Sequence, residues 1–228
     1  MTIFFAVSVF LLLTLFSVMA PGGTKEIRGH AAPITVYTQF EQKRSAASFE
    51  AMKAELAAIM APIGLEFEWR SLDEPHENQV SADLVVVTFK GACEMDEPAA
   101  PLGDDTALGW THMSDGMVLP FSDVQCDRIR RFIGTTMAGV AHGDRDRVFG
   151  RAVGRVLAHE LYHVFANTTH HGAAGVAKAA YTAAELVADR FHFEDKETRA
   201  LRSGKEKDLI RAAQPLRKRP ALALTGSH

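Results

Sequence analysis

The stretch His159-Glu160-Leu161-Tyr162-His163 sets two imidazoles four residues apart, with a carboxylate directly after the first. On an α-helix, positions i and i+4 share a face with their Cβ atoms about 6 Å apart, so both rings reach one metal ion. Glu160 lies about 100° further round, badly placed to ligate but close enough to take a proton from a water beside the metal. Its expected role is general base. Two histidines and a water leave a tetrahedral zinc one ligand short, so a third donor must come from downstream. His170, His171 and Glu185 are the contenders. The plainer alternative is an amphipathic helix with two surface or core histidines, and the further histidines within one short loop count against it.

The helix itself follows from the apolar spacing of Val153, Val156, Leu157, Leu161, Val164 and Phe165. It is expected to end at Asn167, a residue tolerant of left-handed geometry. Thr168-Thr169 then turn the chain so that a histidine a few residues on meets the metal from another side. Glu185 also reads simply as an acidic residue in the first turn of a helix, where the dipole favours it. His112 and His192, the latter placed on the final helix, read as surface or packing residues.

Upstream, Ile34 to Phe40 alternates as a half-buried strand does. Ala51, Met52, Leu56, Ile59 and Met60 predict a helix between an N-cap at Ser48 and a stop at Pro62 and Gly64. Leu65 to Trp69 alternates again, and the run Leu84-Val85-Val86-Val87 within 82–89 reads as a strand covered on both faces. After an acidic, Pro-rich loop (93–105), Ser114-Asp115-Gly116 marks a turn between two short strands over 108–120. That hairpin is read as a sheet edge, whose free N–H and C=O groups suit an extended peptide. Asp123 to Ile133 reads as a short helix or turn, and the polar loop His142 to Arg147 precedes the metal helix. The expected fold class is α+β. A mixed β-sheet packs on an N-terminal helix and the metal helix, and a C-terminal helix closes the domain.

A chain of 228 residues with 47% hydrophobic and 23% charged residues suits one globular domain with tails. A net charge of -3 gives no cationic field for nucleic acid or anionic lipid, so neither partner is expected. Residues 1–20 read as a signal peptide cleaved after Ala20, or as an N-terminal anchor formed by residues 3–20. Residues 21–32 read as a linker, 33–213 as the domain and 214–228 as a flexible basic tail. The expected destination is export, secreted or periplasmic, as a monomer. Cys93 and Cys126 are the only cysteines, and in an exported chain they allow one disulfide.

Across roughly residues 33–200 the sequence resembles the metzincin-like branch of the zincin metallopeptidases. In that group an HExxH helix stops at Gly or Asn, a third His follows, and a turn carries a Met beneath the metal. Here the usual third-His position holds Thr169, His170 and His171 follow it, and Ala177 stands where the Met would be. The resemblance implies His171 as third zinc ligand beside His159 and His163. It also implies a peptide or protein substrate, and for Tyr181 either oxyanion stabilisation or packing under the helix. Glu185-Leu186-Val187-Ala188-Asp189 resembles the ExxxD segment of thermolysin-like enzymes, which implies the rival ligand set with Glu185. The expected function is zinc-dependent hydrolysis of peptide bonds. The alternative is a non-catalytic, exported zinc-binding protein with a closed coordination shell.

Overall fold

The computed structural model describes residues 33–74, 83–96 and 107–213, with side chains as far as residue 204. The signal or anchor segment, the linker up to residue 32, most of the acidic loop and the basic tail lie outside the described residues.

Strand β1 (Ile34–Phe40) leads into helix α1 (Ala46–Met60), then β2 (Phe67–Ser71) and β3 (Leu84–Lys90). The N-cap of α1 is Ser45 and not Ser48. Both are serines three residues apart, but it is Ser45 whose side chain accepts the Ser48 N–H, at 3.0 Å. Ser48 is buried in the first turn and donates to the Asp146 carbonyl at 3.1 Å. A hairpin follows, β4 (Gly109–Ser114) and β5 (Met117–Gln125). Its turn puts Asp115 at φ 50° and Gly116 at φ 76°, the left-handed pair that matches the twist of a two-residue hairpin. β5 runs on through Asp123 to Gln125, so the helix expected over 123–133 begins only at Cys126, as α2 (Cys126–Ile133).

The five strands form one mixed sheet in the order β2-β1-β3-β5-β4, parallel except for the antiparallel edge strand β4. Val36, Val85, Val87, Phe89 and Val124 are buried on the face that joins the hydrophobic core with the helices. The opposite face is not covered as the apolar run at 84–87 suggested: Leu84 is 41% and Phe121 44% exposed. Val85 and Val87 alternate inward while Leu84 and Val86 point away, so the run follows strand parity despite being apolar throughout.

Helix α3 (Arg145–Ala166) is the centre of the fold, buried along nearly all of its length from Phe149 to His163. Two glycines a turn apart set its crossing with α1. A Cβ on Gly150 would overlap the Ser48 main chain, and one on Gly154 would lie 2.8 Å from the Met52 carbonyl oxygen. Only hydrogens at these positions let the two backbones meet. Beyond α3 come the short α4 (Ala183–Val187) and the closing α5 (Asp195–Ala213). His192 therefore sits in the connection before α5 and not on a helix, where its carbonyl accepts the Val176 N–H at 3.0 Å. Cys93 and Cys126 are joined as a disulfide between the chain after β3 and the start of α2. Among the described residues, no helix is long and apolar enough to cross a membrane.

Candidate metal centre

α3 stops where its sequence asks it to. Asn167 adopts φ 45°, and its N–H caps the His163 and Val164 carbonyls. The chain then doubles back along the helix, and His159, His163 and His171 converge so that one ring nitrogen from each lies within 4.8 Å of the others. His159 and His163 are 8% exposed each, whereas His171 is an exposed residue. The His171 ring stacks on His159 at 5.2 Å and meets His163 edge-on at 4.8 Å between centroids.

Both buried imidazoles have their orientation fixed by the backbone of the returning loop. His159 Nδ1 lies 2.8 Å from the Val176 carbonyl oxygen, and His163 Nδ1 lies 2.8 Å from that of Thr168. A carbonyl only accepts, so each Nδ1 carries the hydrogen and each Nε2 presents a lone pair. Those two Nε2 atoms face each other at 3.1 Å. A cation between them would satisfy both lone pairs at once. A tetrahedral zinc with Zn–N bonds of about 2.0–2.1 Å spaces its nitrogens by about 3.3 Å, so the observed gap fits such an ion. Burial favours the uncharged form of both rings, pushing the His159 pKa down to about 4 and lowering that of His163. At neutral pH the lone pairs stay available. Among the described residues no fourth His, Cys, Asp or Glu joins the group.

Glu160 points from α3 to the edge strand. It is 4% exposed, and burial raises its pKa to about 7 against the opposing hydrogen bond from Thr111. With the three histidines it lines a cleft of about 620 Å³ between β4, α3 and the loop at 179–181. The other walls are largely apolar, among them Leu108, Met113, Val118 and Phe132.

The remaining contenders are elsewhere. His170 is exposed, stays outside the convergent group, and its N–H donates to the Thr168 hydroxyl at 3.1 Å. Glu185 is committed to an ion pair with Lys178 and to a capping box with Thr182 at the start of α4. The Lys178 contact, together with the Thr182 hydrogen bonds, holds its carboxyl at about pKa 2. Glu185 stays outside the convergent histidine group and caps α4. His112 pairs with Asp123 at 2.9 Å and lines a separate, smaller pocket with Val86 and Thr88.

Tyr181 packs on Phe191, its hydroxyl donating to the Val176 carbonyl and lying 2.9 Å from His159 Nδ1. Burial first, then the Glu160 and Glu185 charges, raise its pKa, so it stays a neutral donor. It braces the back of the His159 ring and also lines the cleft. Thr111 and Gly109 were not legible as site residues, since a Thr and a Gly on an edge strand carry no spacing signal. No family model matches this sequence, and no curated protein matches it.

Proposed function

We propose that the protein is a zinc-dependent metallopeptidase of the metzincin-like kind, with His159, His163 and His171 as ligands and Glu160 as general base. The observation that carries this reading is the pair of facing Nε2 lone pairs, with a third imidazole converging on them and a buried carboxylate in the same cleft. A zinc ion held by three imidazoles supplies a Lewis acid that polarises a carbonyl and lowers the pKa of a water to about 7.

The chain's own groups do the rest. The N–H and C=O groups along the outer side of β4 are spaced to hold an extended peptide beside α3, which lays a scissile bond along the cleft. Glu160, buried in the same cleft, takes the proton of the attacking water and returns it to the leaving amine nitrogen. The closed, non-catalytic alternative needs a fourth protein ligand from His170 or Glu185, and neither lies in the cluster.

Export is part of the proposal. It rests on the apolar residues 3–20 and is consistent with the Cys93–Cys126 disulfide, a bond favoured outside reducing compartments. The test of mechanism is Glu160→Gln, which keeps zinc at wild-type stoichiometry and abolishes cleavage of casein. Cleavage retained by that variant removes Glu160 from the chemistry. N-terminal sequencing of the mature protein tests export, and soluble material beginning at Met1 refutes it.

A further inference from the structure

We infer that Thr111 is a positioning residue for Glu160, and that through it the edge strand holds the base in register with whatever lies along that strand. The inference rests on the proposed role of Glu160 as base. Thr111 Oγ1 lies 2.9 Å from Glu160 Oε2, 3.0 Å from the Glu160 main-chain oxygen and 3.1 Å from Ser122 Oγ.

A hydroxyl has one hydrogen and two lone pairs. The Glu160 main-chain oxygen accepts, and Oε2 accepts in the ionised form a base needs, so in that form the Thr111 hydrogen goes to Glu160 and the hydrogen between the two hydroxyls comes from Ser122. The relay runs one way, Ser122 to Thr111 to Glu160. Its source is well anchored: Ser122 is 2% exposed on β5 and is the register partner of Thr111 on β4.

Gly109, two residues earlier on β4, completes the seat. A Cβ there would come within 2.9 Å of Glu160 Oε1 and 3.0 Å of the Asp123 carbonyl oxygen. Thr111 thus holds one carboxylate oxygen while the bare glycine leaves room for the other. A glutamate has three side-chain torsions and a terminal one that is broad, so burial alone leaves its carboxylate orientation underdetermined. A displacement of about 1 Å at a reacting group costs about 100-fold in rate, which makes this hydrogen bond consequential.

The experiment compares zinc-loaded wild type, Thr111→Val, Thr111→Ala and Thr111→Ser in the full chain, reading kcat, KM, zinc content and thermal midpoint. The expected result is a fall in kcat of about 10–100-fold for Val and Ala, with KM and zinc content unchanged and most of the rate regained with Ser. Ala covers the case in which valine disturbs folding. A second measurement is independent of turnover: urea unfolding of metal-free Thr111→Val, Glu160→Ala and the double variant. The cost of Thr111→Val should shrink when Glu160 is absent. Wild-type kcat in both hydroxyl-free variants, or a rise in KM alone, overturns the inference. So does an equal cost of Thr111→Val with and without Glu160. A wild type that cleaves nothing refutes the peptidase reading, and the urea cycle still decides whether Thr111 holds Glu160.

Discussion

The guanidinium of Arg155 is completely buried, and its Nε donates to Glu55 Oε1 at 2.7 Å across the crossing of α3 and α1. The same side chain donates to the Glu185 carbonyl at 3.0 Å and lies over the Phe191 ring at 5.0 Å. One residue therefore ties three helices together, about one turn before His159 and two before His163. Removing only its partner strands a cation in the core. Glu55→Ala should cost about 3–5 kcal/mol in urea unfolding. The double change Glu55→Leu with Arg155→Met should recover most of it, because no charge is then left buried. A double variant less stable than Glu55→Ala would contradict this account.

Ligand substitutions separate the three downstream candidates. His159→Ala and His163→Ala should abolish stoichiometric zinc after dialysis, and His171→Ala should weaken retention at least tenfold. His170→Ala and Glu185→Ala should retain zinc. Loss of Glu185 should instead lower thermal stability by about 1 kcal/mol, through the capping box of α4. Zinc lost from Glu185→Ala but kept by His171→Ala would restore the rival ligand set.

The metal-free protein should show opposed titrations. Folded His159 has a pKa of about 4 against 6.5 when unfolded, so between these values the unfolded chain binds the proton that the folded one refuses. Stability accordingly falls as pH drops through that window, and His163 contributes in the same direction. Glu160 has the reverse sign. With its pKa raised from 4.5 to about 7, the folded state keeps a proton that the unfolded chain releases, and stability falls as pH rises through that range. Each group changes stability by up to about 1.4 kcal/mol per pH unit. Metal-free Glu160→Gln lacks the opposing carboxylate, so from pH 6.5 to 4.5 it should lose stability more steeply than wild type in urea titrations. A shallower slope would reverse the assignment.

The Cys93–Cys126 bond closes a loop of 33 residues. By the chain-entropy relation such a loop stabilises by about 3–4 kcal/mol. Cys93→Ala with Cys126→Ala, or reduction of the wild type, should lower the unfolding free energy by that amount. Equal urea midpoints in oxidised and reduced protein would show that the bond contributes nothing.

Local signals in the sequence were strongest where one residue type decides a backbone shape. Asp115-Gly116 specifies its turn and Asn167 its helix end, and the i, i+4 spacing of His159 and His163 specifies a shared face. Which downstream histidine joins His159 and His163 was harder, because it depends on the path of residues 168–171 after a left-handed residue, and several donors lay within reach by count. Ser45 and Ser48 are chemically equivalent as caps, so only the packed start of α1 against Asp146 distinguishes them. The apolar run at 84–87 concealed strand parity, since hydrophobicity alone does not report which face is covered. Gly150 and Gly154 were a readable sign of close helix approach that periodicity of apolar residues overlooks. Thr111 could not be found from spacing, as its meaning comes from a strand and a helix 49 residues apart in sequence.

The carbonyls of Thr168 and Val176 bracket His171, and each receives the hydrogen of one of the two imidazoles on α3. On the proposed ligation, cation affinity and conformational order in this short segment would form a single thermodynamic quantity. A captured ion would then hold the loop from both ends, and a proteolytic nick between Thr168 and Val176 would be expected to discharge it while leaving the sheet and long helices folded.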